Sequence, residues 1–222
     1  MARLLAPPEG EGASLADQAY YAIRELIVSL ELAPGAAISE RDLTERLDIG
    51  RTPIREALRQ LSQEKLVEVY PRRGMFVTTV DVRDLARLCE VRAVLEPEAA
   101  RLAAERATQD DLSEIGGLLE ELEAGRRRSD RAWIDLDERI HRTIYRSSHN
   151  EFLESTLEEY YALALRIWML ALDKTGELQA AVHEHHGLLD AIARGNSRRA
   201  AELMHAHVDH FEDAMRSVLL AT

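Results

Sequence analysis

The stretch Arg51 to Leu61, RTPIREALRQL, constrains this chain most: Arg51, Arg55 and Arg59 recur every four residues, with Ile54, Ala57, Leu58 and Leu61 between them. On a 3.6-residue period the three arginines share one face of a helix and the apolar residues take the other. Gly50 ends what precedes, and Thr52 as N-cap with Pro53 at the first helical position predicts a helix starting at about residue 52. Three guanidiniums opposite an apolar stripe suit phosphates and guanine edges. Taken alone, the run equally fits the solvated basic face of an ordinary surface helix.

Its neighbours separate the two readings. Ile38 to Leu47, ISERDLTERL, reads as a short helix with Ser39 as N-cap and Asp42 at the third position, only a few residues before the arginine helix. Upstream, Ala19, Ala22, Ile23, Leu26, Ile27 and Leu30 form an apolar stripe over Ser14 to Leu32, closed by Pro34-Gly35. Downstream, Val67 to Tyr70 and Met75 to Thr78 flank Pro71-Arg72-Arg73-Gly74, two short strands around a turn. Three helices and a basic-tipped hairpin, with Lys65, Arg72 and Arg73 beside the arginine helix, describe a winged helix-turn-helix over residues 14–80.

These segments resemble the DNA-binding domain of the GntR family of bacterial transcription regulators. The pattern of that family, a Pro-Gly stop, a segment like SERDLTERL, then S-R-T-P-V-R-E-A-L, G-L-V and a basic wing, occurs here in order. Two positions depart from it: Gly50 stands where Ser is usual, which removes a phosphate-reaching hydroxyl, and Lys65 where Gly is usual. The resemblance implies operator contacts by Arg41, Arg51, Thr52 and Arg55, with Arg72, Arg73 and Gly74 of the wing entering the minor groove. Arg55 is the first choice for reading a guanine, and contacts from Arg41 and Thr52 to phosphate would hold all sequences alike.

A net charge of −12 opposes binding to DNA, but its distribution is uneven. Residues 1–80 carry 10 Lys and Arg against 12 Asp and Glu, and residues 81–222 carry 18 against 28. An acidic body behind a basic reading head suppresses non-specific binding, which is almost wholly electrostatic. One cysteine, Cys89, forms no internal disulfide, and the apolar start MARLLAPPEG is too short for a signal peptide or a span. The expectation is a cytoplasmic, non-membrane protein whose residues 1–13 lack fixed structure.

From Asp81 onward helical patterns follow one another, broken near Thr108, Gly125 to Ser129, His149-Asn150, Lys174 to Gly176 and Gly195-Asn196. That predicts six helices, or seven if Pro97 splits the first. No segment alternates like a strand. The fold expected is mainly α: the N-terminal winged helix-turn-helix, then an all-α antiparallel helical bundle over residues 81–222.

Chemistry in the bundle lies where polar residues interrupt apolar stripes. Asp137 and His141 sit one turn apart beside Trp133, Ile140 and Ile144; His185 lies in the stripe of Leu178, Val182, Leu188, Leu189 and Ile192; His207 lies in that of Ala200, Met204, Phe211 and Val218. His183, His186, His205 and His210 fall at or beyond the stripe edges. One carboxylate and three imidazoles from three helices suit zinc, nickel or another late transition metal, and hydrogen-bonded core histidines remain the alternative on spacing alone.

A second resemblance bears on that choice. EVRAVLEPEAARLAA, DERIHRTIYRSSHN and EHHGLLDAIARGNSRRAAELMHAHV are similar to the FCD ligand-binding domain of the FadR subgroup of the GntR family. Carried over by motif, the metal ligands of that domain fall on Asp137, His141, His185 and His207. The resemblance further implies a small carboxylate effector, often an organic or sugar acid, bound with its carboxylate on the metal. Arg92 and Arg166 are candidates to pair with its charge, each with a salt bridge to a core acid such as Glu96 as the alternative. Asn150 is a third candidate, or a helix cap. The leading function is a ligand-responsive regulator, commonly a repressor, that binds a palindromic double-stranded operator as a homodimer. The competing class is a metalloenzyme acting on a small acid, with the winged helix as an interaction module.

Overall fold

The computed structural model describes residues 14–124, 129–175 and 178–220; the expectation for residues 1–13 lies outside them. The chain divides between Val80 and Asp81 into two compact units.

The first unit holds α1 (Leu15–Val28), β1 (Ala37–Ile38), α2 (Glu40–Leu47), α3 (Arg51–Gln63), β2 (Val67–Tyr70) and β3 (Gly74–Val77). Ser14 opens α1 with a reciprocal capping box: Asp17 N–H donates to its Oγ at 3.1 Å, and its own N–H donates to Asp17 Oδ2 at 3.0 Å. The helix ends at Val28, short of the predicted Leu32, because Leu30 adopts a left-handed φ of 62°. Ser39 caps α2 through Asp42 N–H. Ala19, Ile23 and Ile27 of α1 meet Ile54, Leu58 and Leu61 of α3 in a core from which solvent is excluded.

Two features differ from the sequence expectation. The arginine helix starts at Arg51 with Gly50 as N-cap and no side-chain cap bond, one residue earlier than Thr52 capping would give. Pro53 then sits at the third helical position, still within the first turn, where no N–H has an intrahelical acceptor. Also, the sheet has three strands in the order β1-β3-β2; two-residue β1, pairing Ala37 with Phe76 and Ile38 with Met75, is too short to show a period. The end of α3 is a Schellman turn, with Lys65 N–H donating to Ser62 O and Leu66 N–H to Leu61 O, and Lys65 takes its left-handed position at φ 62°.

The second unit comprises α4 (Val82–Arg106), α5 (Gln109–Ala124), α6 (Asp130–Ser147), α7 (Glu151–Thr175), α8 (Leu178–Ala193) and α9 (Ser197–Leu220). Pro97 lies inside α4 without dividing it, so six helices are present among the described residues. The ring costs the hydrogen bond to the Ala93 carbonyl, but the buried Ala99, Ala100 and Ala103 anchor the following turns. α4 is central, packing along α9 and against α6, α7 and α8. Among the described residues no helix is long and apolar enough to cross a membrane.

Candidate functional site

α6, α8 and α9 bring His141, His185 and His207 together in the helical unit, with ligand atoms all within 4.8 Å of one another. All three rings are buried, as is Asp137 one turn before His141. The spacing explains the placement: Asp137 and His141 continue the face of Ile140 and Ile144, while His185 and His207 replace apolar residues in core stripes.

Each imidazole is held from behind at Nδ1. His141 Nδ1 lies 3.1 Å from the Tyr145 hydroxyl and 3.7 Å from Glu96 Oε2. His185 Nδ1 lies 3.1 Å from the Val182 carbonyl, and His207 Nδ1 3.4 Å from Glu184 Oε2. With protons on Nδ1 directed to these acceptors, the Nε2 lone pairs face inward, and those of His141 and His185 lie 3.2 Å apart. Two lone pairs at that distance repel unless a proton or cation lies between them. Tyr161 donates its hydroxyl proton to Asp137 Oδ2 at 2.9 Å, and buried Asp137 Oδ1 has no hydrogen-bond partner. Oδ1 is 3.7 Å from His185 Nδ1, beyond hydrogen-bond reach. The three imidazoles fit a divalent transition-metal ion, and Asp137 borders them with its Oδ2 3.9 Å from His141 Nε2.

Electrostatics agree with that donor set. Burial, reinforced by the neighbouring imidazoles, holds His141 and His185 well below the ordinary histidine pKa, so both are neutral at pH 7. Burial pushes Asp137 up to about 6, against the opposing pull of His207 and the Tyr161 hydrogen bond. Lone pairs are therefore available, and a positive charge at their focus would lower the cost of ionised Asp137.

Beside this cluster is a cavity of about 110 Å³. Asp137, His141, His207 and Arg92 reach it, and Trp168, Phe211, Leu165 and Met215 give it an apolar wall. Arg92 donates from Nε to Glu96 at 2.5 Å, lies 4.8 Å over the Phe211 ring, and leaves buried Nη1 without a hydrogen-bond partner. Burial alone would lower its pKa, but Glu96 more than offsets this and the guanidinium stays charged. Arg92 thus has both the salt bridge and the cavity position that the sequence left as alternatives. Arg166, which burial lowers to about 10, is not among the cavity residues. Asn150 is not there either; its Oδ1 accepts from Leu153 N–H at the start of α7. Glu184 and His210, paired at 3.0 Å, line the cavity. Tyr145 and Tyr161 escaped the sequence reading, although Tyr145 lies one turn after His141 on the same face. His183, His186 and His205 lie outside the cluster, each against an acceptor of its own.

In the first unit Arg41, Arg51, Thr52, Arg55, Arg59, Arg72, Arg73 and Gly74 are all exposed. Ile54, Ala57, Leu58 and Leu61 of α3 are buried on the opposite face. Arg55 Nε donates to Glu40 Oε2 at 2.7 Å, and Arg41 Nε to Glu45 at 2.8 Å. At the wing tip Arg73 N–H donates to the Tyr70 carbonyl, and Arg72 has φ 64°. With Pro71 second and Arg72 third, this is a type II turn, whose third position normally favours Gly or Asn.

Comparison with known proteins places each unit. Residues 15–77 match the model of the bacterial regulatory proteins, gntR family, and residues 87–210 that of the FCD domain. An HTH-type transcriptional regulator in an unstable DNA locus of Streptomyces ambofaciens is 33% identical over 192 residues, covering 85% of this chain and 80% of that one. The galactonate operon transcriptional repressor of Escherichia coli is 30% identical over 202 residues, covering 79% of this chain and 86% of its own. Among solved structures, E. coli McbR/YncC is similar at a TM-score of 0.79 and 24% identity, over 93% of this chain and 99% of that one.

Proposed function

Because the chain belongs to the gntR family of bacterial regulatory proteins, carries an FCD domain and is a transcription regulator rather than an enzyme, we propose that it is a cytoplasmic repressor answering to a small carboxylate effector. The observation that carries this reading is the cluster of inward Nε2 lone pairs and the orphaned Asp137 oxygen, beside a cavity into which a buried, charged arginine reaches. Asp137, His141, His185 and His207 would hold a divalent ion, zinc or nickel by donor type. Such an ion supplies a Lewis-acidic anchor for the effector carboxylate wherever coordination positions stay open.

Arg92 pairs with the effector's negative charge, and Glu96 fixes the guanidinium that does so. Trp168, Phe211, Leu165 and Met215 form one apolar wall, whose single donor is the Trp168 indole N–H. The preferred effector is thus a compact monocarboxylate with an apolar body. Arg166 and Asn150, outside the cavity, would support the helices around it.

Arg51, Thr52 and Arg55 read one half-site from the major groove, Arg41 fixes phosphate, and Arg72, Arg73 and Gly74 enter the minor groove. One such head covers only half an operator, so the working form is a homodimer on a palindrome. The effector shifts the population between states that differ in operator affinity, by no more than its own preference between them.

The test is the thermal shift of metal-loaded protein with aromatic acids, short branched fatty acids, lactate, sugar acids and di- and tricarboxylates, before and after chelation. A rise with one acid that vanishes with chelator supports the reading. Melting that chelator lowers but no acid raises makes the metal purely structural and removes the carboxylate effector.

A further inference from the structure

The outward stripe of α4 serves neither the metal cluster nor the cavity. Asp84, Arg87, Val91, Val94, Glu98 and Arg101 follow at alternating steps of three and four residues; the first five are exposed and Arg101 is half-buried. Val94 is 69% and Val91 38% exposed. This is the spacing of a helix-pairing seam. Two β-branched residues in open solvent contribute nothing to helix propensity, so the central valines are unexplained by the helix itself.

We propose that this stripe pairs, antiparallel, with the same stripe of a second copy of the chain, about a two-fold axis passing between Val91 and Val94. The inference rests on the homodimer reading and names its surface. Charge complementarity selects the partner and the direction. Under that two-fold, Val91 faces the partner's Val94, Arg87 faces the partner's Glu98 and Asp84 faces the partner's Arg101, and each pair occurs twice. A parallel pairing would set Arg87 on Arg87 and Glu98 on Glu98. In the single chain Arg87 reaches Asp84 at 3.8 Å, and Arg101 reaches Glu98 at 2.6 Å, pairs in solvent that are worth little. Bringing the copies together extends these pairs into one alternating network while the four valines leave water.

Sedimentation of the full-length, metal-loaded chain tests this with two charge reversals, Arg87→Glu and Glu98→Arg. Each alone places like charges opposite one another twice, and dimerisation weakens about tenfold. Mixing the two variants restores it, because in the mixed dimer every facing pair is again opposite in sign. Val94→Lys, with unchanged circular dichroism and melting, also weakens the dimer. A dimeric parent whose three variants and mixture behave like it overturns the proposed surface and leaves the homodimer standing. A parent monomeric at all concentrations overturns both.

Discussion

At the scale of single residues, the proposed centre depends as much on groups behind the ligands as on the ligands. Asp137→Asn leaves the carboxyl's shape but removes its charge, and metal content measured after dialysis is expected to fall. Tyr161→Phe, which removes the hydroxyl that donates to Asp137 Oδ2, is expected to lower metal affinity by about tenfold or more without unfolding the bundle. The raised pKa of Asp137 sets a pH dependence whose sign is fixed. Below about 6 the carboxyl holds its proton, and metal must displace that proton to bind. In the metal-free protein this proton stabilises the fold at low pH, and the gain is lost as pH rises through about 6. The melting difference between loaded and chelated protein is therefore expected to be largest above that pH and to shrink below it. The burial of Asp137, His141, His185 and His207 was legible because each interrupts an apolar stripe. Their hydrogen-bond partners were not: the Val182 carbonyl is backbone, and Tyr161 comes from a different helix, α7, with no sequence relation to Asp137.

At the scale of elements, helix ends and turns carry the tension between folding and reading DNA. Lys65 occupies a left-handed C-terminal position at φ 62°, where a side chain costs about 1–2 kcal/mol. Lys65→Gly is expected to stabilise the first unit by up to about 1 kcal/mol, after the larger entropy of the unfolded glycine chain is subtracted; urea titration followed by circular dichroism reads it. On α3, Arg55 is held by Glu40 before any DNA arrives, so its guanidinium is oriented but must trade one partner for another. Arg55→Ala is expected to lose about 1–3 kcal/mol of preference for operator over scrambled DNA in a mobility-shift titration. Equal preference in variant and parent would remove Arg55 as the base reader. Long amphipathic helices were plain in the sequence because many residues vote for one period. β1 and the early stop of α1 were not, since two residues carry no period and the stop rests on the single backbone angle of Leu30.

At the scale of the whole molecule, a basic-tipped first unit and an acidic second one divide the labour of binding and sensing. Charge distribution and a change of pattern at Asp81 made that division readable without a structure. Which helices meet around the histidines was not readable from spacing, because it depends on α4 running through the middle of the bundle. An operator-bound homodimer is expected to lose affinity steeply as salt rises, while an effector that releases it should change the affinity at fixed salt; filter binding in both titrations separates the two. The rear supports of the histidines have one more consequence. His141 and His185 are 44 residues apart, and His207 lies 22 residues further on. An ion gripping all three ties three distant points of the chain into two closed loops, each worth about 3 to 4 kcal/mol by the entropy it denies the unfolded polymer. In a chain whose single Cys89 is buried and free, such an ion would be a cross-link of the disulfide kind, installed or withdrawn as the ion is supplied or sequestered.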